Sequence, residues 1–377
     1  MAGLLPYYVR PPSVADTKTV FCYWGSWSSY RWGEGELRAN QINAHTCTHL
    51  VYAFAGLNER NEIYSLDPWN DLPPSQAGPN KDNYRHLVAL KQQNPQLKVL
   101  LSIGGWNQAS SKFSKMVYYE NSRRTFIQSV MSFLPQYGFE GLDIAWQWPF
   151  QRGGMFQDKA NYVLLLQELR KEFQSKSYVL SIAAPAIYSD SGYDLPGIMK
   201  HVDFVSVYAY DYSVNPNTLQ HGSPLYNSDY FNCVSTSIKY YLDHGATAEK
   251  LLLGVTLYSR SYKLKNPQYT NVGDGADGFG NKGPFTQEQG LLAWFELCSK
   301  LKREQFTIVN NSTDKTSYAY NTYEWISYES EYSLKEKVAY AKTNKLAGIT
   351  VWSMDNDDNH KICGASLTSV IANAIKN

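Results

Sequence analysis

The sequence predicts an α/β fold: a closed (β/α)8 TIM barrel with a small α+β insertion domain between its seventh and eighth strands. Three observations predict it. Short apolar runs rich in β-branched or aromatic residues recur eight times, each too short for a typical helix. Segments with apolar residues at helical spacing lie between them. One interval near the C-terminus is far longer than a single crossover helix requires.

The eight runs are 20–24, 49–57, 98–106, 141–148, 178–185, 202–211, 251–258 and 346–354. Helical spacing is clearest over 83–93, 123–133, 161–173, 234–242, 334–341 and 367–375. Strands alternating with helices imply parallel pairing, and eight such units imply closure. The long interval holds Gly-rich turns over 273–283, a helix-like stretch over 287–301 and strand-like pieces at 306–309 and 323–328. The expected division is an N-terminal tail or leader over 1–19, a barrel over 20–258 and 338–377, and the insertion over 259–337.

The chain has 377 residues, 43% apolar and 15% aromatic, with thirty Tyr and ten Trp. Net charge is +1 and no Lys/Arg-rich stripe is present, which argues against nucleic acid or an anionic membrane as partner. No apolar run reaches the ~18–20 residues needed to span a bilayer. The opening stretch has no sustained apolar segment and contains Pro6, Pro11 and Pro12, so it does not read as an intact signal peptide. A secreted chain would already have lost its signal. The five cysteines, Cys22, Cys47, Cys233, Cys298 and Cys363, show no metal-ligand spacing, and neither a metal nor another cofactor is expected. Sequons at Asn310 and Asn311 suit a secreted surface loop.

A barrel places binding and chemistry at the C-terminal ends of its strands. Trp24, Trp27, Trp32, Trp106, Trp146, Trp148 and Trp352 fall at or just past those ends, and Trp69 follows the second strand. Core filling has no reason to concentrate Trp at one end, so a groove lined by flat rings is expected, suited to the apolar faces of pyranose sugars. Along the fourth strand, alternation sets Asp143, Ala145 and Gln147 inward and Leu142, Ile144, Trp146 and Trp148 outward. A carboxylate inside a barrel needs hydrogen bonds. Asp143 therefore has either a satisfied structural role or a role in the site.

The stretch 139–149, Phe-Glu-Gly-Leu-Asp-Ile-Ala-Trp-Gln-Trp-Pro, resembles the signature of the family 18 glycoside hydrolases, the chitinases and chitinase-like lectins. Ser102-Ile103-Gly104-Gly105-Trp106 is similar to the family's third-strand motif, Ala209-Tyr210-Asp211 to its sixth and Tyr258-Ser259-Arg260-Ser261-Tyr262 to its seventh, with Ser259 where Gly is usual. Trp352 matches the eighth-strand Trp, and 283–286 and 293–298 resemble the insertion domain. The likeness runs from Val20 onward. It pairs Cys22 with Cys47 and Cys298 with Cys363, and leaves Cys233 free.

Active members resemble one another in a substrate-assisted mechanism. The last acid of the fourth strand protonates the glycosidic oxygen, and the middle Asp holds the N-acetyl group that attacks the anomeric carbon. Here those positions are Gln147 and Ala145, and only Asp143 remains. An amide cannot supply the proton, so the resemblance implies a lectin without chitinase activity. Gln147 alone would also fit an engineered trap in an active enzyme, but Ala145 would then require a second exchange. Asp211 and Glu296 are the acids that could stand in.

Carried over by position, the expected contacts to chitin or N-acetylglucosamine oligomers are Tyr23, Trp27, Trp69, Trp106, Gln147, Tyr210, Asp211, Arg260, Glu296 and Trp352. Packing competes for Tyr23 and an ion pair for Arg260. Tyr208 stands where the family usually has Met, beside the N-acetyl site, where a larger ring would crowd the pocket. The loop 212–216 lacks the family's usual continuation. The alternatives are a signalling or structural protein with a vestigial groove, or a chitinase with residual or mutated activity. Insect imaginal disc growth factors are similar in carrying Gln for the acid, but the short link from Pro149 to Asn161 argues against that subgroup. Group 18 mite allergens are another similar set.

Overall fold

A computed structural model describes residues 18–75, 78–186, 192–212, 214–227, 232–364 and 366–377. The expected tail lies outside the described residues up to position 17, and Thr19 already belongs to the first strand. The barrel strands are Thr19–Gly25, His49–Leu57, Lys98–Gly104, Gly141–Ala145, Val179–Pro185, Phe204–Tyr208, Leu251–Thr256 and Gly348–Trp352. Each pairs in parallel with the next, and the eighth pairs with the first, closing the barrel. A short strand, Ile63–Ser65, adds antiparallel to the second and was not foreseen.

Strand alternation divides the core in two. Outward residues such as Cys22, Trp24, Leu142, Ile144, Val205 and Val351 pack beneath the helices. Inward residues step up the barrel axis: Phe21 then Tyr23 on the first strand, Asp143 then Ala145 on the fourth, Phe204, Ser206 and Tyr208 on the sixth, Thr350 and Trp352 on the eighth. The interior is packed, as a barrel of this strand number requires.

The insertion is an antiparallel sheet in the order Ala276–Phe279, Tyr258–Leu264, Glu324–Tyr328, Thr316–Tyr320, Thr307–Asn311, with Leu291–Ala293 also paired to Tyr258–Leu264. The helix Trp294–Arg303 covers one face through Leu292, Leu297, Ala319 and Ile326. Three expectations change here. The seventh barrel strand ends at Thr256, and Tyr258 opens the insertion sheet. The helix expected from 287 begins at Trp294, because 291–293 is drawn into the sheet. The boundary at 337/338 falls inside the helix Glu331–Thr343, whose start is set by Ser330: its hydroxyl accepts from the Ser333 amide.

Both expected disulfides are present. Cys22–Cys47 links the first strand to the entry of the second across a Cα separation of 6.1 Å, and Cys298–Cys363 fastens the insertion helix to the loop after the eighth strand across 6.0 Å. Cys233 is free and buried. Among the described residues, no helix is long and apolar enough to cross a membrane. Asn310 is exposed on an edge strand, whereas the Asn311 side chain accepts from the amides of Thr313 and Asp314 in the following turn.

Two imidazoles, the half-buried His49 and the buried His221, set an acid limit on stability. His49, packed at the barrel base between Phe21 and Phe204, is pushed down to about 4 by burial and then by Lys98; His221, bonded to Thr316, is pushed down to about 3 by burial and then by Lys337. A histidine whose folded pKa lies below its unfolded value stabilises fully above ~6.5 and loses that contribution as pH falls toward the folded pKa. Asp71, raised to about 6 by burial, acts with the opposite sign over pH 6 to 4. Each imidazole should cost about 2 kcal/mol between pH 7 and 4.5, offset in part by a similar gain from Asp71. The melting temperature should fall across that range and fall less in His221→Gln. A flat pH profile would contradict the assignment.

Candidate ligand groove

The site forms where inward side chains reach the C-terminal ends of the strands. Asp143 lies one step below it. Its carboxylate accepts from the Tyr23 hydroxyl at 2.8 Å and from the Ser102 and Ser181 hydroxyls at 2.7 Å each. Burial lifts its pKa above the usual carboxylate range, against these three hydrogen bonds. With no exposure, Asp143 has the satisfied structural role. Tyr23, expected to touch ligand, is also fully buried with its hydroxyl engaged by Asp143, because alternation places it inside the barrel beneath Trp352.

Above Asp143 the floor closes. Ala145 is 0% exposed, Gln147 8% and Tyr208 7%. The Tyr208 ring stacks on Tyr210 at 5.4 Å and meets Tyr23, Trp148 and Trp352 at 6.0–6.3 Å. Its hydroxyl has no well-formed hydrogen-bond partner, though it lies near the Tyr23 phenol. Trp148, expected outward, instead reaches Tyr208, because the strand ends at Ala145 and its alternation lapses. Trp24 and Trp146 also leave the groove: both are wholly buried beneath the helices, Trp146 donating to Ser110 at 2.9 Å.

The walls are aromatic. Trp27, Phe54 and Trp352 pack with ring centroids 5.8–6.2 Å apart, and Trp27 keeps 40% of its surface free. The Trp27 ring lies so close over Gly25 that a Cβ there would stand 2.4 Å from it, so this approach requires glycine. Trp106, the most exposed of the expected contacts at 60%, carries the Arg152 guanidinium 3.6 Å from its ring centre. Arg152 also donates to the carbonyls of Trp106 at 2.7 Å and Gln147 at 3.1 Å, tying platform to floor. Trp69 stacks on Tyr30, and Lys81 reaches both rings.

The polar contacts are arranged differently from the expectation. Arg260 forms two hydrogen bonds to Asp211, at 2.9 and 2.7 Å, and the Tyr258 hydroxyl donates to the same carboxylate at 2.6 Å. The ion pair that competed for Arg260 is therefore formed. Glu296 is corrected outright. Its buried carboxylate accepts from the amides of Phe285, Thr286 and Ala293 and from the Thr286 hydroxyl, at 2.7–3.0 Å. It fixes the turn 283–286 to the start of the insertion helix, and all its strong acceptor positions face protein. Phe54, Tyr30, Lys81 and Arg152 went unnoticed in the sequence because their importance depends on rings brought from other strands.

A cavity of about 610 Å³ lies where this trough meets the insertion domain, lined by Trp27, Tyr30, Trp32, Tyr258, Phe285 and Trp352 among others. Its lining includes none of Ala145, Gln147 or Tyr208. The only candidate metal cluster among the described residues, Cys298, Asp358 and Cys363, uses the two sulfurs of a disulfide and holds no ligand set.

An eight-stranded barrel with an insertion after its seventh strand and an aromatic trough over the strand ends defines a glycosidase-type barrel. The chain belongs to the family described as glycosyl hydrolases family 18, which matches residues 19–357. It is 36% identical over 355 residues to Probable chitinase 2 of Drosophila melanogaster, covering 90% of this chain and 72% of that one. The solved group IV chitinase of Ostrinia furnacalis superposes with a TM-score of 0.89 at 32% identity, covering 96% of this chain and all of that one. Human YKL-39, described as a pseudo-chitinase with retained chitooligosaccharide binding properties, superposes with a TM-score of 0.85 at 27% identity, covering 96% and 100%.

Proposed function

We propose that this protein is a non-hydrolytic, chitinase-like lectin that binds chitin-type oligosaccharides along its aromatic trough, outside the cell. The carrying observation is an amide and a methyl, Gln147 and Ala145, at the two positions where hydrolysis needs carboxyls, beneath walls that keep Trp27, Trp106 and Trp352. Removing a general acid costs typically ~10²–10⁴ in rate. Neither stand-in supplies a proton: Asp211 is held by Arg260 and Tyr258, and Glu296 is turned into the insertion domain. The reading is supported by YKL-39, a relative of the same fold described as a pseudo-chitinase that retains chitooligosaccharide binding. Two disulfides favour an oxidising compartment.

Titration with chitopentaose should quench or shift tryptophan fluorescence, while a fluorogenic chitobioside should show no turnover above buffer. Trp106→Ala should weaken binding about tenfold with little change in melting temperature, because so exposed a ring contributes to ligand contact more than to packing. Robust turnover, or no optical response at millimolar oligomer, would defeat the proposal.

A further inference from the structure

We infer that Tyr208 is a specificity-determining residue that plugs the trough floor, so that ligand is recognised by its ring faces and not by an acetamido group inserted below them. The inference rests on the binding role proposed above and extends it to the class of sugar accepted.

The geometry is that of a stopper. Tyr208 leaves the last residue of the sixth strand and enters the inner cluster that also holds Ala145. Four aromatic neighbours, from the first and eighth strands and from the segments just after the fourth and sixth, surround its ring: Tyr23, Trp352, Trp148 and Tyr210. Its hydroxyl is wholly shielded from solvent, and burial, then the nearby Asp143 carboxylate, raises its pKa, so the phenol stays neutral. Ala145 beneath is inaccessible, and the neighbouring cavity is lined by Trp352 and Tyr258 but not by Ala145, Gln147 or Tyr208. A polar substituent pushed past Trp352 would meet phenol ring and methyl. The Tyr208 hydroxyl is unpartnered but shielded from solvent, so a substituent gains a partner there only if the ring moves.

Recognition then falls to the exposed faces of Trp27, Trp106 and Trp352, which contact the C–H faces of any β-1,4-linked glucose-type chain. Sites that hydrogen-bond a substituent discriminate by orders of magnitude, whereas apolar contacts discriminate weakly. The protein should therefore bind glucose oligomers and N-acetylglucosamine oligomers alike.

Calorimetric titration of the full chain with chitopentaose and cellopentaose tests this, on wild type, Tyr208→Met and Tyr208→Leu, each checked by thermal melting. Wild-type affinities for the two pentamers should lie within about tenfold, and opening the floor should shift the ratio toward chitopentaose by about tenfold or more. A wild-type preference for chitopentaose above about a hundredfold would overturn the inference while leaving the lectin reading intact. Unchanged ratios in folded variants would also overturn it. Wild type binding neither pentamer, with Tyr208→Met binding chitopentaose, would uphold the plug and defeat the lectin reading; no binding by any form would defeat both. The wild-type ratio decides the inference even if both variants fail to fold.

Discussion

Installing carboxyls at the two positions, Ala145→Asp with Gln147→Glu, is expected to leave chitobioside hydrolysis near background, and adding Tyr208→Met to raise it about a hundredfold or more above the double variant. The proton donor alone is worth ~10²–10⁴, but only when it can reach a glycosidic oxygen over a seated sugar. Gln147 is almost covered, and Ala145 entirely so. An Asp introduced at 145 would be a second carboxyl in the dry interior, two residues from Asp143, without the hydroxyl donors that satisfy Asp143. The double variant should accordingly melt lower as well as remain inactive. On the inference drawn above, shortening Tyr208 opens space beside Trp352 for an acetamido group. Turnover by fluorogenic assay, with melting curves for each form, checks the sequence of effects. Equal activity of the double and triple variants would show that the phenol does not obstruct the floor.

Lys337→Met should destabilise the fold by about 3–5 kcal/mol, the range for removing one partner of a buried ion pair. Lys337 is fully buried, and its ammonium donates to Glu329, to the Ser223 carbonyl at 2.7 Å and to the Ser223 hydroxyl at 2.9 Å. Glu329 also accepts from Ser223 at 2.5 Å and Ser333 at 2.7 Å. The cluster joins the end of the insertion sheet, the helix Glu331–Thr343 and the segment after the sixth barrel strand. Without Lys337, Glu329 becomes an uncompensated buried charge. Glu329→Gln in the Lys337→Met background should recover part of the loss, because the amide keeps the serine contacts without the charge. Denaturant melts at pH 7 measure both. A loss below about 1 kcal/mol in the single variant would place the pair in the weak class of surface ion pairs.

Much of this architecture was legible in the chain. Eight apolar runs gave the eight barrel strands because a buried strand needs a short β-branched run wherever it occurs. The spacing of helices between them left parallel closure as the consistent outcome. Boundaries were less legible where capping or pairing from elsewhere overrode periodicity. Ser330 starts a helix ahead of its apolar pattern, and 291–293 is held as a strand by Tyr258–Leu264. The expected insertion boundary consequently fell at Lys337, the most deeply buried cation of the junction.

For the site, residue identity was enough to motivate the proposed loss of hydrolysis, since a carboxamide is too weak an acid to serve as a general acid in any fold. It was not enough to assign contacts. Tyr23, Asp143 and Glu296 are all polar residues at matching positions, yet each has its polar atoms engaged within the protein by partners 120, 41 and up to 11 residues away in sequence, among others. Order along the chain thus settled which groups exist and on which strand face they begin. Tertiary packing alone decided which remain free, because exposure and hydrogen-bond occupancy are set by neighbours from other strands: at this floor, Tyr208 from the sixth and Trp352 from the eighth close over an alanine of the fourth.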